Sequence, residues 1–284
     1  MNYLAHFGLR EPPFGITPDT SFFFACQGIQ EALNTLLVAV GNGEGFIKIT
    51  GEVGTGKTLL CRKFLASLDD GYVSAYIHNP SVEPRTLLIA LSEELGIRVE
   101  ASDDQHQLLK AITLALIEFG VNSKRVVLCM DETQAMPLET LETLRLLTNL
   151  ETEKRKLLQV VLFGQPELDR KLAANSIRQL RQRIMFQYDL RAFDPSEMAD
   201  YVAHRLKIAG SAGPPLFNRA ALRLLRRASG GIPRLVNILA HKSLLLLYGE
   251  GGQEVEKRHV QVAVADTPAA TRPGAWWWQR RLAE

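Results

Sequence analysis

Gly51-Glu52-Val53-Gly54-Thr55-Gly56-Lys57-Thr58 follows the pattern G-x-x-x-x-G-K closed by Ser or Thr. Glycines in such a run let successive backbone N–H groups turn inward around phosphate oxygens. A helix starting there adds the positive end of its dipole. Lys57 is placed to reach the β- and γ-phosphates, and Thr58 to hold Mg²⁺. The expected ligand is ATP with Mg²⁺, bound along the run from Gly51 to Leu59. A second set of residues matches it. Val126 to Met130 is apolar and ends in Asp131 and Glu132. Asp131 is expected to hold the hydrated Mg²⁺, and Glu132 to polarise an attacking water as general base. The two sets together imply ATP hydrolysis.

Three further places could complete such a site. Gln165 follows the apolar run Leu157 to Gly164, where its side chain would hydrogen-bond the γ-phosphate or the lytic water; a solvent-facing loop glutamine is the alternative. Arg178-Gln179-Leu180-Arg181-Gln182-Arg183 carries arginines that are either a solvated helix face or a finger offered to a neighbouring subunit's γ-phosphate. The planar guanidinium suits that task because it stays charged and binds phosphate through two parallel hydrogen bonds. Arg183 is the first choice and Arg181 the second. Gly230-Gly231-Ile232-Pro233-Arg234 opens a helix, with Pro233 fitted to the first turn. Arg234 would read the γ-phosphate from a lid, or is an ordinary exposed arginine at a helix entry.

These residues need elements to carry them. Apolar runs at Phe46 to Thr50, Val73 to Ile77, Val126 to Met130, Leu157 to Phe163 and Met185 to Leu190 alternate with helical patterns. That alternation predicts a five-stranded parallel sheet covered by helices on both faces. Ligands of such sheets sit beyond the carboxyl ends of the strands, where the glycine loop, the Asp131-Glu132 pair and Gln165 all fall. From Asp194 onward the pattern is helical only, opening on Asp194-Pro195-Ser196-Glu197, a helix start with its own capping carboxylates. The expected organisation is an irregular arm over 1–26, an α/β nucleotide-binding core over 27–191, a small helical lid over 192–266 and a tail over 267–284.

Composition sets limits. A net charge of +2 gives no global electrostatic case for nucleic acid. Cys26, Cys61 and Cys129 are too far apart for a metal motif; Cys61 and Cys129 read as core thiols suited to a reducing compartment. The start lacks the pattern of a signal peptide, and no run reaches the ~18 apolar residues of a membrane span. The expectation is a cytoplasmic protein, peripheral at most to a membrane.

The landmarks together resemble the AAA+ ATPases, a branch of the P-loop NTPases. More narrowly, the chain is similar to the general secretion pathway protein A (ExeA-type) family and, within it, to proteins of MSHA pilus biogenesis. The residues that carry the likeness span most of the chain. They are Phe7-Gly8-Leu9-Arg10-Glu11-Pro12-Pro13-Phe14 with Thr17-Pro18-Asp19, the loop Thr50 to Thr58, and Asp131-Glu132-Thr133-Gln134. Leu144-Arg145-Leu146-Leu147-Thr148-Asn149-Leu150-Glu151-Thr152 and Gly164-Gln165-Pro166-Glu167-Leu168 are the most specific. Arg181-Gln182-Arg183-Ile184 and Ser229-Gly230-Gly231-Ile232-Pro233-Arg234-Leu235-Val236-Asn237 complete the set. The resemblance implies an ATPase core with a helical lid, self-association as a ring or dimer, and a sensor role for Gln165. It also implies work with type IV pilus or secretion assembly proteins at the inner membrane. Longer members continue into a membrane span and a peptidoglycan-binding domain. Neither occurs before Glu284, so direct cell-wall binding is not expected. Thr133 stands where Ala is more usual.

A second function class is a DNA-associated ATPase of the transposition or replication type, for which Arg223 to Arg227 and the pair Arg280 and Arg281 are candidate contacts. Trp276-Trp277-Trp278 beside those last arginines suits a bilayer interface or a protein groove. Deleting 276–284 is expected to spare ATPase activity and to release the protein from membranes or its complex; unchanged fractionation would count against a docking role.

Overall fold

The computed structural model describes residues 3–100, 102–150, 156–174 and 177–271. The Trp276–Trp278 triplet, Arg280 and Arg281 lie outside them, as do Glu151 and Thr152 of the resemblance run. In chain order the first elements are α1 (Tyr3–His6), α2 (Gln27–Gly41), β1 (Phe46–Gly51), α3 (Lys57–Leu65), β2 (Tyr72–Ile77), α4 (Pro84–Glu94), α5 (Gln105–Val121) and β3 (Arg125–Met130). They are followed by α6 (Leu138–Leu147), β4 (Leu158–Gly164), α7 (Glu167–Leu172), α8 (Arg178–Gln182) and β5 (Ile184–Leu190). The chain continues through α9 (Pro195–Ile208), α10 (Arg219–Ser229), α11 (Pro233–Gly249) and α12 (Lys257–Ala265). Two compact units divide it: 27–52 with 57–190, and 1–26 with 53–56 and 191–284.

The first unit is a five-stranded parallel sheet in the order β2-β3-β4-β1-β5. β1 and β4 are buried along their whole length, which is why they read as mostly apolar runs, Lys48, Thr50 and Gln159 apart, rather than alternating ones. Alternate residues nonetheless go to opposite faces. Ile47, Ile49, Val127, Cys129, Val161 and Phe163 join α2 and α3 in one core. Phe46, Val126, Leu128, Met130, Val160 and Leu162 join α4 to α8 in the other. Because every strand runs the same way, β1, β3 and β4 end on one rim, carrying Gly51, Met130 and Gly164 there.

The second unit is helical, and its division from the first differs from the sequence expectation at the arm. Phe7, Leu9, Phe14 and Phe22 are buried among residues of α9 to α12 and do not form a separate segment. The arm lacks helical periodicity because its apolar residues serve one at a time, each filling a gap in a core built by the later helices. Its backbone carbonyls are met by buried polar side chains. Arg205, 6% exposed, donates to Pro13 O, to Gly15 O (3.4 Å) and to Tyr201 Oη (3.1 Å), and its guanidinium lies 4.5 Å from the Phe22 ring centre. Asn237 donates to Gly15 O (3.0 Å) and accepts from Tyr201 Oη (2.9 Å). The predicted start of α9 is present: Asp194 accepts from Ser196 N and Glu197 N, and Glu197 accepts from Asp194 N. The expected tail also begins later, since Ala270 is buried in this core. No helix among the described residues is long and apolar enough to cross a membrane.

Arg205→Ala removes donors from Pro13 O, Gly15 O and Tyr201 Oη, and Pro13 and Tyr201 are buried. The expected cost is about 2–4 kcal/mol of unfolding free energy, read from urea unfolding; a change within measurement error would show that the arm is not held by this residue.

Candidate nucleotide site

The loop after β1 has the shape that its glycines permit. Gly54 has φ +84° and Gly56 φ +99°, values that favour glycine. A Cβ on Gly54 would also lie 2.6 Å from the Arg234 Cβ. Lys57, 5% exposed, donates to Gly51 O (2.7 Å) and Glu52 O (2.9 Å). Burial pushes its ammonium below the usual lysine value, opposed by the charges of Glu132, Asp131, Glu52 and Glu167. The adjacent Thr58 Oγ1 donates to Asp131 Oδ2 at 2.5 Å. This contact joins the first turn of α3 to the end of β3, although β4 separates β1 from β3 in the sheet.

Asp131 is fully buried, and its other oxygen accepts from Glu132 N (2.9 Å). Glu132 is one of the few non-glycine residues with positive φ (+53°), at the sharp exit from the strand. Its Oε2 accepts from Gln165 Nε2 (3.0 Å) and from Gln134 Nε2 (2.5 Å), while Gln134 Oε1 accepts from Gln165 N (3.0 Å). The two amides thus bracket the carboxylate. Lys171 of α7 fixes the intervening turn by donating to Gln134 O and Met136 O, both at 2.5 Å. Thr133 is buried and donates to Phe163 O (2.9 Å), a contact an alanine there could not make. His78 Nδ1 lies 3.7 Å from Asp131 Oδ2 and 3.1 Å from Tyr76 Oη. Burial, and then the charge of Asp131, pushes the Tyr76 phenol up.

The structure therefore brings Lys57, Thr58, Asp131, Glu132 and Gln165 to one rim. The arginines are placed differently. Arg183 donates to Arg145 O (3.2 Å) and Thr148 Oγ1 (3.3 Å) at the end of α6, whereas Arg181 is exposed. Arg234 is exposed, and its N–H donates to Gly54 O (3.2 Å). Gly231 before it has φ +78°, and a Cβ there would stand 2.4 Å from Phe193 O. Gln134, Lys171 and His78 were given no role on sequence grounds. Only Gln134 carried a usable signal, as an amide two residues beyond the expected base.

No cluster of three or more His, Cys, Asp or Glu able to hold a metal occurs among the described residues. Mg²⁺ dehydrates reluctantly and takes one or two protein oxygens beside phosphates and water. The hydroxyl of Thr58 and the buried carboxylate of Asp131 are the hard oxygen donors available for it.

A family model described as an AAA domain matches residues 40–172. General secretion pathway protein A of Aeromonas hydrophila is 39% identical over 274 residues, 96% of this chain and 50% of that protein. The chain belongs to the AAA+ proteins of the general secretion pathway protein A family. It spans half the length of that relative. Its fold is shared with the ORC2 protein of Aeropyrum pernix in ADPNP and ADP complexes (TM-score 0.65, 17% identity, covering 92% of this chain and 74% of that one). Cdc6p of Pyrobaculum aerophilum aligns with TM-score 0.67 and 16% identity over 87% of this chain and 70% of its own. RuvB, the Holliday junction branch migration motor of Thermotoga maritima, gives 0.57 and 15% over 89% and 73%. These structural likenesses establish the AAA+ fold alone.

Gly164, which delivers Gln165 to this AAA+ rim, has no room for a side chain: a Cβ would meet Thr133 Oγ1 and Leu168 Cδ2, each at 2.8 Å. Gly164→Ala should destabilise by about 1–3 kcal/mol. In a Thr133→Ala background its cost should fall, because one of the obstructing atoms is gone. Urea unfolding of the single and double variants checks this; strictly additive costs would refute the packed contact.

Proposed function

We propose that this chain binds ATP with Mg²⁺ and hydrolyses it to ADP and phosphate, using the change to drive or switch assembly of a secretion or type IV (MSHA-type) pilus apparatus at the inner membrane. The observation that supports the catalytic part most directly is the 2.5 Å contact between Thr58 and Asp131, with Lys57 and Glu132 at the same rim. A hydroxyl and a carboxylate from distant parts of the chain meet where the phosphate-binding pattern requires metal ligands.

In this reading the N–H groups of Gly51 to Leu59 surround the phosphates. Lys57 exchanges its two loop carbonyls for phosphate oxygens, which are stronger acceptors for an ammonium. Thr58 and Asp131 hold Mg²⁺, which when bound neutralises charge on the phosphate oxygens. Glu132 takes the proton of the attacking water. Gln134 and Gln165 fix where its carboxylate points, and Gln165 serves as the sensor of the γ-phosphate. Arg234 serves as the lid's contribution to the nucleotide. Self-association in a ring or dimer supplies a finger from a neighbour. Arg181 suits that role better than Arg183, whose guanidinium is already engaged by α6. The pilus or secretion role rests on the family relation, and its partners are the assembly proteins of that apparatus.

Lys57→Ala should abolish binding of a fluorescent ATP analogue. Glu132→Gln should keep that binding and slow single-turnover hydrolysis by about 10²–10⁴-fold. Parental turnover in Glu132→Gln would remove the residue from catalysis. The same variant, holding ATP, should capture secretion or pilus assembly proteins from cells; recovery of DNA-processing factors only would overturn the envelope role.

A further inference from the structure

The helical unit contains a cavity of about 680 Å³ between α9, α10 and the start of α12. Four arginines of α10 line it, Arg219, Arg223, Arg226 and Arg227, and Lys257 of α12 faces the same space. Their spacing (i, i+4, i+7, i+8) puts all four guanidiniums on one helix face over about 12 Å of axis. The opposite face, with Ala221, Leu224, Leu225 and Ala228, is buried. Among the described residues none of the five cations forms an ion pair or a side-chain hydrogen bond, and Arg226 Nε is buried without a partner. Asp194, whose carboxyl feels the Arg226 charge, is already committed to capping α9. Like charges at i+3 and i+4 destabilise a helix, and only Arg226 and Arg227, in the last turn of α10, gain from the helix dipole.

The remaining lining residues decide the kind of partner. They are Pro195, Met198, Ala199, Ala220, Leu222 and Leu224, all apolar. The lining has no carboxylate, amide or hydroxyl side chain. A nucleic-acid backbone would gain nothing from an apolar floor, and a flat bilayer would reach only the rim. We infer that this cavity docks an acidic segment of a partner protein, with carboxylates meeting the arginines of α10 and apolar side chains seated on Ala199, Ala220 and Leu222. Such a surface combines charge steering with apolar anchoring. This goes beyond the ATPase reading and does not depend on it.

The test uses the full chain without nucleotide and fluorescence anisotropy of labelled probes. They are a short Glu-rich peptide with leucines at every third or fourth position, polyglutamate of equal length, and a DNA duplex. Vesicles of phosphatidylglycerol and phosphatidylcholine are tested by co-sedimentation. The mixed peptide should bind tighter than polyglutamate and the duplex, weaken with salt, and lose about tenfold or more in affinity in the R223E/R227E variant. Circular dichroism and thermal melting report whether that variant folds. If it does not, R223A/R227A, which relieves the repulsion and should melt no lower than the parent, is read in the same assay. Failure of the peptide to bind, or affinity untouched by either variant, overturns the proposal. So does tighter binding of the duplex or the vesicles that the same substitutions abolish.

Discussion

Asp131 is a carboxylate with no exposure to water, and the arrangement of the α/β unit follows from how that charge is accommodated. An unpaired buried carboxylate is costly enough that a protein would rather not keep it. Here two donors reach it, the Thr58 hydroxyl and the Glu132 N–H. Each demands something of the fold. The first requires that α3 begin within reach of the end of β3, and in this parallel sheet it does so with β4 lying between β1 and β3. The second requires Glu132 to leave the strand in the left-handed region, at φ +53°. A metal bound by Thr58 and Asp131 would take over a compensation that the fold already supplies, so the site is organised before any ligand arrives.

The left-handed turn at Glu132 has a further consequence. It directs the next residues back across the rim, so that Gln134 and Gln165 both reach the Glu132 carboxylate and also reach one another. Lys171 and Thr133 then pin the turn from α7 and β4. A base held by two amides has a fixed direction. The two glutamines therefore matter as a pair rather than singly.

The parts of this arrangement legible in the sequence were those whose signal is local. The glycine loop is contiguous, β1 and β4 are mostly apolar because they are buried on both faces, and the Asp194 cap is complete within four residues. What escaped depends on distant partners. Lys48 sits inside β1 at 8% exposure because Asp169 of α7 meets it, and Gln159 inside β4 because Val40 O and Glu44 O accept from it. No reading of either strand alone contains those partners. The arm failed for the same reason: Phe7, Phe14 and Phe22 have no period of their own, and the Arg205 that satisfies Pro13 and Gly15 comes roughly 190 residues later. Arg183 shows the reverse case, where a plausible chemical role met a structural one at the end of α6.

A net charge of +2 conceals how unevenly charge is handled along the chain. At the rim, the buried Lys57 donates to two carbonyls and is faced by carboxylates, so its burial is offset in part within the fold. Lys48 is likewise paired, and Arg205 is enclosed by acceptors and aromatic rings. The arginines of α10 break that habit. Solvation explains an isolated exposed arginine, since water meets its needs at little cost. It does not explain why four gather on one face around an apolar cavity, where the side chains repel one another. A protein that compensates its buried cations so consistently has reason to leave this set uncompensated only if the compensating charges arrive on another molecule.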